Sequence, residues 1–533
     1  MSGGTGSRSS NGMSGASHVG LLSDEQVGHL RHFANLSRQP PNDWSLMQGR
    51  GVGQDDFGGY RFQLAYMAYA LALTHRHRLP AAPGLFKPVF EKLIEKMLLP
   101  EVWMYWARIS RGGSVFNAHL SEGYSEEWNP VGRDNIMYSA YVQSMTLLYN
   151  YLFNDDRYTA AGALTFKYWS YFWGGAERRF EYDQNSLNQH VYWLMAESGF
   201  LGVACEPNCV FQICNQPAIL GFRLNDLLTG ESVAQDVTAA YQQAWQQFGR
   251  VGDNGHYHLM LSQDSKTVRQ NVMKTPWADA WCGTLMNMWN REFVREHYPQ
   301  QSRDWLEPTP DGTISVRSAA PPVVMGHTVI NDSSDHGWAA AWASEMGDDA
   351  SLQGLLAHAH RYMSPTWRDG GLYYPRHDVE QDEQGRRTLM APMTGNVLLG
   401  YARLNVADGL WGLYNLPWSP AQHSNPALVI VDEGVDVLQA YFDEGARVLR
   451  FAIRDCNVSR RPGGSVTVSR LKGHGPWQLK AGDQLLARGA DDRLAFSADG
   501  SNIRSSEAGV VIASSAQVAS FEMSFGARLS LTL

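Results

Sequence analysis

The chain has only five cysteines among its 533 residues. That is an odd number and far too sparse for a disulfide framework, so free thiols are expected. No apolar run approaches the length of about 18 residues that a membrane-spanning helix needs, so membrane insertion is not expected. Positive charge is in deficit, 44 Lys and Arg standing against 53 Asp and Glu for a net charge of −9. That balance argues against a broad nucleic-acid or anionic-membrane footprint and favours a small neutral substrate. The segment Met1 to His18 carries no apolar stretch and no small-residue cleavage site. It reads as a Gly/Ser leader, with cytoplasmic residence as the expectation.

What the chain does have is aromatic and sulfur mass: 18 Trp, 23 Tyr, 20 Phe and 19 Met. Such side chains are core material first and pocket walls second. From about residue 24 to 406, two kinds of helical pattern interleave. Polar-faced helices are predicted over Asp24–Leu36, Leu85–Met97, Arg157–Trp173, Ser232–Phe248, Arg291–Tyr298 and Ser351–Tyr362. Nearly all-apolar helices begin near Phe57, Asn135, Pro207, Pro276, Asp335 and Met393. A helix apolar on every side must be covered on every side, so the apolar set is expected inside the polar set. Six such pairs make an (α/α)6 toroid. After Pro417 short alternating runs predict strands at Ala427–Val431, Val437–Phe442, Val448–Ile453, Ser465–Val468, Arg493–Ser497, Gly509–Ser514 and Leu529–Leu533. The expected fold is therefore mainly α: a leader over residues 1–22, a toroid over 23–420 and a small antiparallel β-sandwich over 421–533.

One segment concentrates chemistry: Cys205-Glu206-Pro207-Asn208-Cys209-Val210-Phe211-Gln212-Ile213-Cys214-Asn215. Pro207 stands where a first helical residue would, which places Cys205 and Glu206 at a helix N-terminus. The helix dipole there would lower a thiol pKa and stabilise a carboxylate. The alternative is that a buried cysteine in an apolar helix is inert packing, the better reading for Cys209 and Cys282. The spacing C-x3-C-x4-C matches no zinc or iron–sulfur pattern, so no metal is expected.

This segment resembles the active-site run C-E-P-x-x-x-F-x-x-C-N of the linalool dehydratase-isomerase family. Asn135-Ile136-Met137-Tyr138 resembles that family's inner-helix N-I-M-Y, and Trp277 and Trp281 fall where the family places aromatics beside the substrate. The resemblance covers about residues 25 to 410. It implies a toroid, often assembled as a homo-oligomer, that moves protons on an allylic alcohol without a cofactor. Three positions depart from the pattern: Tyr141 stands for a His, Phe62 for a Tyr and Asn35 for an Asp.

A second acid is therefore sought among carboxylates at the starts of inner helices. Asp56 precedes the first, where capping is the commoner role, and Asp279 lies between Trp277 and Trp281 in the fourth. His336 opens the fifth and is a replacement candidate for the family's His, although a lone His is more often a structural group. The expected catalytic set is Asp56, Asp279, Cys205, Glu206, Cys214 and Tyr141. Phe62, Tyr66, Met137, Tyr138, Phe211, Trp277, Trp281 and His336 are expected to line the substrate. The expected reaction is acid-initiated dehydration, isomerisation or rearrangement of a prenyl or terpenoid alcohol or epoxide, with no cofactor. Two alternatives stay open: a carbohydrate lyase or glycosidase, since α/α toroids followed by β domains also host sugar chemistry, and a noncatalytic apolar-ligand-binding protein.

Overall fold

A computed structural model of the chain describes residues 20–49, 54, 58–112, 124–172, 175–317, 323–324, 327–328, 334–456 and 464–526. The protein is mainly α with a separate β region. Six inner helices span Tyr60–His77, Ile136–Phe153, Gln212–Thr229, Pro276–Met286, Asp335–Met346 and the run from Thr394 to Leu404. Each packs on the next, and the last returns to the first, so the inner helices close a ring. Outer helices Pro83–Met97, Gln184–Glu197, Val233–Gln246, Arg291–Trp305, Asp349–Tyr362 and Asp24–Ser37 cover them. The inner set is buried on all sides: every residue of Ile136–Phe153, Pro276–Met286 and Asp335–Met346 is buried.

Local sequence explains the boundaries. Ser23 and Gln26 form a reciprocal capping box that starts the first outer helix. Pro276 stands at the first position of its helix, where its fixed φ is already helical. The sixth inner helix opens with a π-helical stretch, Thr394–Leu398. A side chain on Gly395 there would drive into the carbonyl of Tyr374.

Two expectations about the helices are corrected. Arg157–Trp173 is not an outer helix: Leu164–Tyr168 and Arg178–Tyr182 pair as an antiparallel hairpin, and the outer helix follows at Gln184–Glu197. Leu164, Phe166 and Tyr168 alternate with Thr165 and Lys167, the period of a strand. Pro207 does not begin the third inner helix, which starts at Gln212.

The β region holds two antiparallel sheets. One orders Ala427–Val431, Ser465–Ser469, Gly509–Ala513 and Ile503–Ser506; the other orders Val435–Asp443, Val448–Asp455, Ala519–Phe525, Pro476–Ala481, Gln484–Ala490 and Arg493–Ser497. Four of these strands were not anticipated, and the expected strand Leu529–Leu533 lies outside the described residues. The β region joins the helices through backbone bonds Leu22 N to Leu438 O at 2.8 Å, Ala81 N to Ala440 O at 3.0 Å and Leu428 N to Ala81 O at 2.8 Å. A buried Arg31–Asp436 ion pair at 2.5 Å adds to them.

Gly84 makes this junction possible, because a Cβ there would collide with the backbone carbonyl of Val429. Gly84→Ala is expected to lower stability by about 1–3 kcal/mol, the range for overpacking a close contact. Denaturant unfolding measures it, and an unchanged midpoint would show that the junction gives way at no cost.

Candidate active site at the ring axis

Residues four and three apart on a helix share a face, and these stripes point to the ring axis. Phe62, Tyr66 and Tyr69 come from the first inner helix, Met137, Tyr141 and Ser144 from the second, and Trp281 and Trp338 from the fourth and fifth. Trp281 stacks on Trp338 at 4.4 Å between ring centroids. Tyr66 meets Trp338 edge-on at 4.7 Å and Tyr141 at 5.9 Å. Phe62 meets Trp281 at 5.6 Å and Tyr141 at 6.1 Å. The Trp281 indole N–H donates to the Tyr66 hydroxyl, and the Tyr69 and Ser144 hydroxyls bond at 2.6 Å. The Tyr401 hydroxyl is buried without a hydrogen-bond partner among the described residues, and the Tyr141 hydroxyl is buried beside that of Tyr66, with which it interacts. Burial raises the pKa of Tyr66, Tyr141 and Tyr401 well above that of a free phenol.

The thiols stand beside this cage. Glu206-Pro207-Asn208-Cys209 forms a tight turn closed by Cys209 N to Glu206 O at 2.9 Å, with Asn208 in the left-handed region at φ 68°. Pro second and Asn third is the type II pattern. Cys205 N donates to Cys209 O at 2.9 Å, and Cys209–Val210 pairs with Met260–Ser262. Asn215, on the helix, clamps the strap ahead of Cys205 by accepting from Val203 N at 2.9 Å and donating to Val203 O at 3.1 Å. Gly202, at φ 119°, has no room for a Cβ against that amide. The strap and the helix thereby bring Cys205 and Cys214 into mutual contact, with the Cys214 thiol 4.0 Å from Met137 Sδ.

Cys205 therefore owes nothing to a helix dipole. Contact with Cys214 pulls its pKa down, but burial and the Glu206 carboxylate outweigh this and leave it raised. Burial raises Cys214 much further. Glu206, half-buried and in contact with the Cys205 thiol, is also raised by burial, against the pull of Arg61. Arg61 is buried at 4% exposure, its guanidinium 4.2 Å from the Phe62 ring centroid and 3.9 Å from that of Tyr105. The sequence reading missed Arg61, Tyr105, Trp338 and Tyr401. The available signal for Arg61 was a charge inside an otherwise apolar helix.

The structure thus brings together Cys205, Glu206, Cys214, Tyr141, Phe62, Tyr66, Met137 and Trp281. Trp277 shares the face of Trp281 one turn earlier, and Phe211 is half-buried at the start of the third inner helix. The other expected site residues are placed elsewhere. Asp56 lies outside the described residues. Asp279 is two positions from Trp281, about 200° around the helix, and faces outward, where it holds His256 Nδ1 at 2.6 Å and accepts from Tyr257 N at 2.9 Å. The far nitrogen of His256 meets Asp304 at 3.0 Å. Burial pulls the His256 pKa down, but the two carboxylates outweigh it and raise it. His336 is likewise two positions from Trp338 and faces outward, its Nε2 3.1 Å from Leu355 O; burial lowers its pKa to about 3. Tyr138, one residue past Met137, donates to Met97 O at 2.6 Å on the outer layer. Asn35 belongs to the outer helix Asp24–Ser37 and donates to Asp369 O at 3.1 Å. Among the described residues, no group of three His, Cys, Asp or Glu is arranged to hold a metal ion.

All five thiols are buried and free, and reaction with a thiol reagent needs both access and the thiolate. At neutral pH, labelling of the native protein is expected to be at least about tenfold slower than in denaturant, where five thiols react. Rapid native labelling of Cys205 would contradict the raised pKa.

Residues 61–380 match the family model for linalool dehydratase/isomerase. Among solved structures, the chain is similar to the α-1,6-mannanase of Salegentibacter sp. HEL1_6 at 9% identity over 74% of this chain and 99% of that one, TM-score 0.37. It is also similar to the unsaturated glucuronyl hydrolase of Bacillus sp. GL1 at 10% identity over 73% and 95%, TM-score 0.37. The endoglucanase of Clostridium thermocellum gives 8% identity over 95% and 93%, TM-score 0.34. Likenesses this distant carry no argument about substrate. The family match, in contrast, spans more than half of the chain and takes in the thiol strap, the cage and the loops that hold them: the protein belongs to the linalool dehydratase/isomerase family.

Proposed function

We propose that the protein is a cofactor-independent acid–base enzyme on an (α/α)6 toroid, acting on a prenyl or terpenoid alcohol or epoxide through a carbocation-like step. The observation that carries this reading is the contact of Glu206, Cys205 and Cys214 at the edge of a closed aromatic cage. In a dehydration, the substrate oxygen takes a proton, the C–O bond breaks with its electron pair leaving on water, and a neighbouring carbon then gives up a proton. Glu206 fits the acid because burial favours its protonated form, and Cys205 links it to the cage. The Tyr141 hydroxyl, in the cage beside that of Tyr66, is assigned to hold the substrate oxygen. Trp281, Phe62 and Tyr66 offer ring faces and edges to an apolar chain, and a cation over such a face gains about 0.5–2 kcal/mol. This assignment moves the acid from Asp279, which faces away, to Glu206.

A panel of allylic alcohols and prenyl epoxides tests the reading, with product formation followed for wild type, Cys205→Ala, Cys214→Ala and Glu206→Gln. Loss of Glu206 or Cys205 is expected to cost about 10²–10⁴ in kcat, the usual contribution of a positioned acid or base. If wild type turned over oligosaccharides and none of the panel, the reading would be lost.

The raised pKa of Glu206 also sets a pH dependence. An acid must be protonated to act, so kcat/KM is expected to fall as pH rises through the Glu206 pKa, above the ordinary carboxyl value of 4.5. In Glu206→Gln that limb should vanish from whatever activity remains. Persistence of the same limb would assign it to another group.

A further inference from the structure

The hairpin Leu164–Tyr182 has a feature that folding alone does not favour. Beyond its first strand, Trp169, Tyr171 and Phe172 are exposed at 56%, 76% and 78%. They touch one another, Trp169 to Tyr171 at 5.8 Å and Tyr171 to Phe172 at 4.9 Å between centroids, and Tyr171 and Phe172 are the most exposed aromatic side chains among the described residues. The inner face of the hairpin is well packed: Phe166 meets Trp103 and Tyr182, and Tyr168 stacks on Trp128 at 5.7 Å. The exposed aromatics are therefore not a by-product of a loose hairpin.

The outer face adds charge. Lys167 and Arg179 stand directly opposite each other across the strands, a like-charge pair that costs stability. Arg179 is engaged by Glu181, whereas Lys167 has no ion pair among the described residues. Along residues 164–182, three cations face two carboxylates, in a chain whose net charge is −9. Trp and Tyr with adjoining Lys and Arg make up the chemistry of the membrane–water interface, where amphipathic rings seat among headgroups and cations meet anionic lipid. Position adds a third argument. The Tyr168 end of the hairpin rests on Trp128, and Asn129 donates to the Tyr182 hydroxyl at 2.7 Å. That segment runs directly into Asn135 and the second inner helix, which carries Met137 and Tyr141.

We propose that the aromatic end of this hairpin docks on an anionic lipid surface, seating Trp169, Tyr171 and Phe172 among the headgroups with Lys167 and Arg179 against lipid phosphates. Docking there places the segment that leads into the N-terminal end of the second inner helix on the side of the bilayer, where apolar molecules accumulate. The proposal stands apart from the assignment of the reaction, because its test reads binding and not turnover.

The test is sedimentation of the full chain with phosphatidylcholine vesicles, with and without phosphatidylglycerol. Wild type is expected to bind the phosphatidylglycerol vesicles and to be released by high salt, because marginal interfacial anchoring needs both an apolar and an electrostatic signal. Phe172→Ser with Tyr171→Ser, and separately Lys167→Glu, are each expected to weaken binding by about tenfold or more. These side chains are exposed, so the fold should persist, with an unchanged Tm as the check. The proposal is overturned if wild type ignores the anionic vesicles, or if the variants bind as wild type does. It is equally overturned if ultracentrifugation shows a dimer that Phe172→Ser dissolves while no vesicle binding occurs, since a second copy would then be the occupant.

Discussion

Removal of water from the ring axis governs the rest of the structure. A helix buried on all sides satisfies its own backbone and leaves side chains to fill the axis, and aromatics do so with large area and few rotatable bonds. Every ionisable group that shares this space then pays for charge. Burial raises the pKa of Cys205, Cys214 and Glu206 together with those of Tyr66, Tyr141 and Tyr401. One buried cation, Arg61, lies close enough to oppose the shift at all three non-aromatic groups. Burial thus shifts each of these groups toward its neutral, proton-bearing form.

Precision at the thiols comes from three unlike devices acting on one point. A type II turn sets the direction of the strap, a short antiparallel pairing with Met260–Ser262 holds it in place, and the Asn215 amide binds it to the helix that bears Cys214. Each uses backbone hydrogen bonds, which are short and directional. The cage, by contrast, is held by ring contacts, which tolerate small rearrangements. Rigid proton-handling groups thus face an adaptable apolar wall.

Much of this was legible in the sequence. The runs after Asn135, Pro276 and Asp335 announced inner helices because they are apolar on nearly every side, and at Pro276 a helix-compatible proline marks the first position. The run from Cys205 to Asn215 pointed to the segment that the structure sets beside the aromatic cage. Pro207 misled because its fixed φ suits both a helix start and the second position of a turn; Asn208, tolerant of left-handed geometry, was the residue to weigh. Asp279 and His336 misled for a geometric reason. Proximity to Trp281 or Trp338 by two positions along a helix means opposite faces in space, so carboxylate and imidazole turn to the outer layer. Tyr401 was hidden because its ring partner Tyr66 lies far along the chain.

Gln63, in the first inner helix, accepts a hydrogen bond from Asn396 in the sixth, across 333 residues of chain. Such pairings bear a high loop-closure entropy and are made late. During synthesis the first inner helix keeps the face it turns to the sixth uncovered until the sixth leaves the ribosome. Apolar surface left open in this way before ring closure is the kind that chaperones cover.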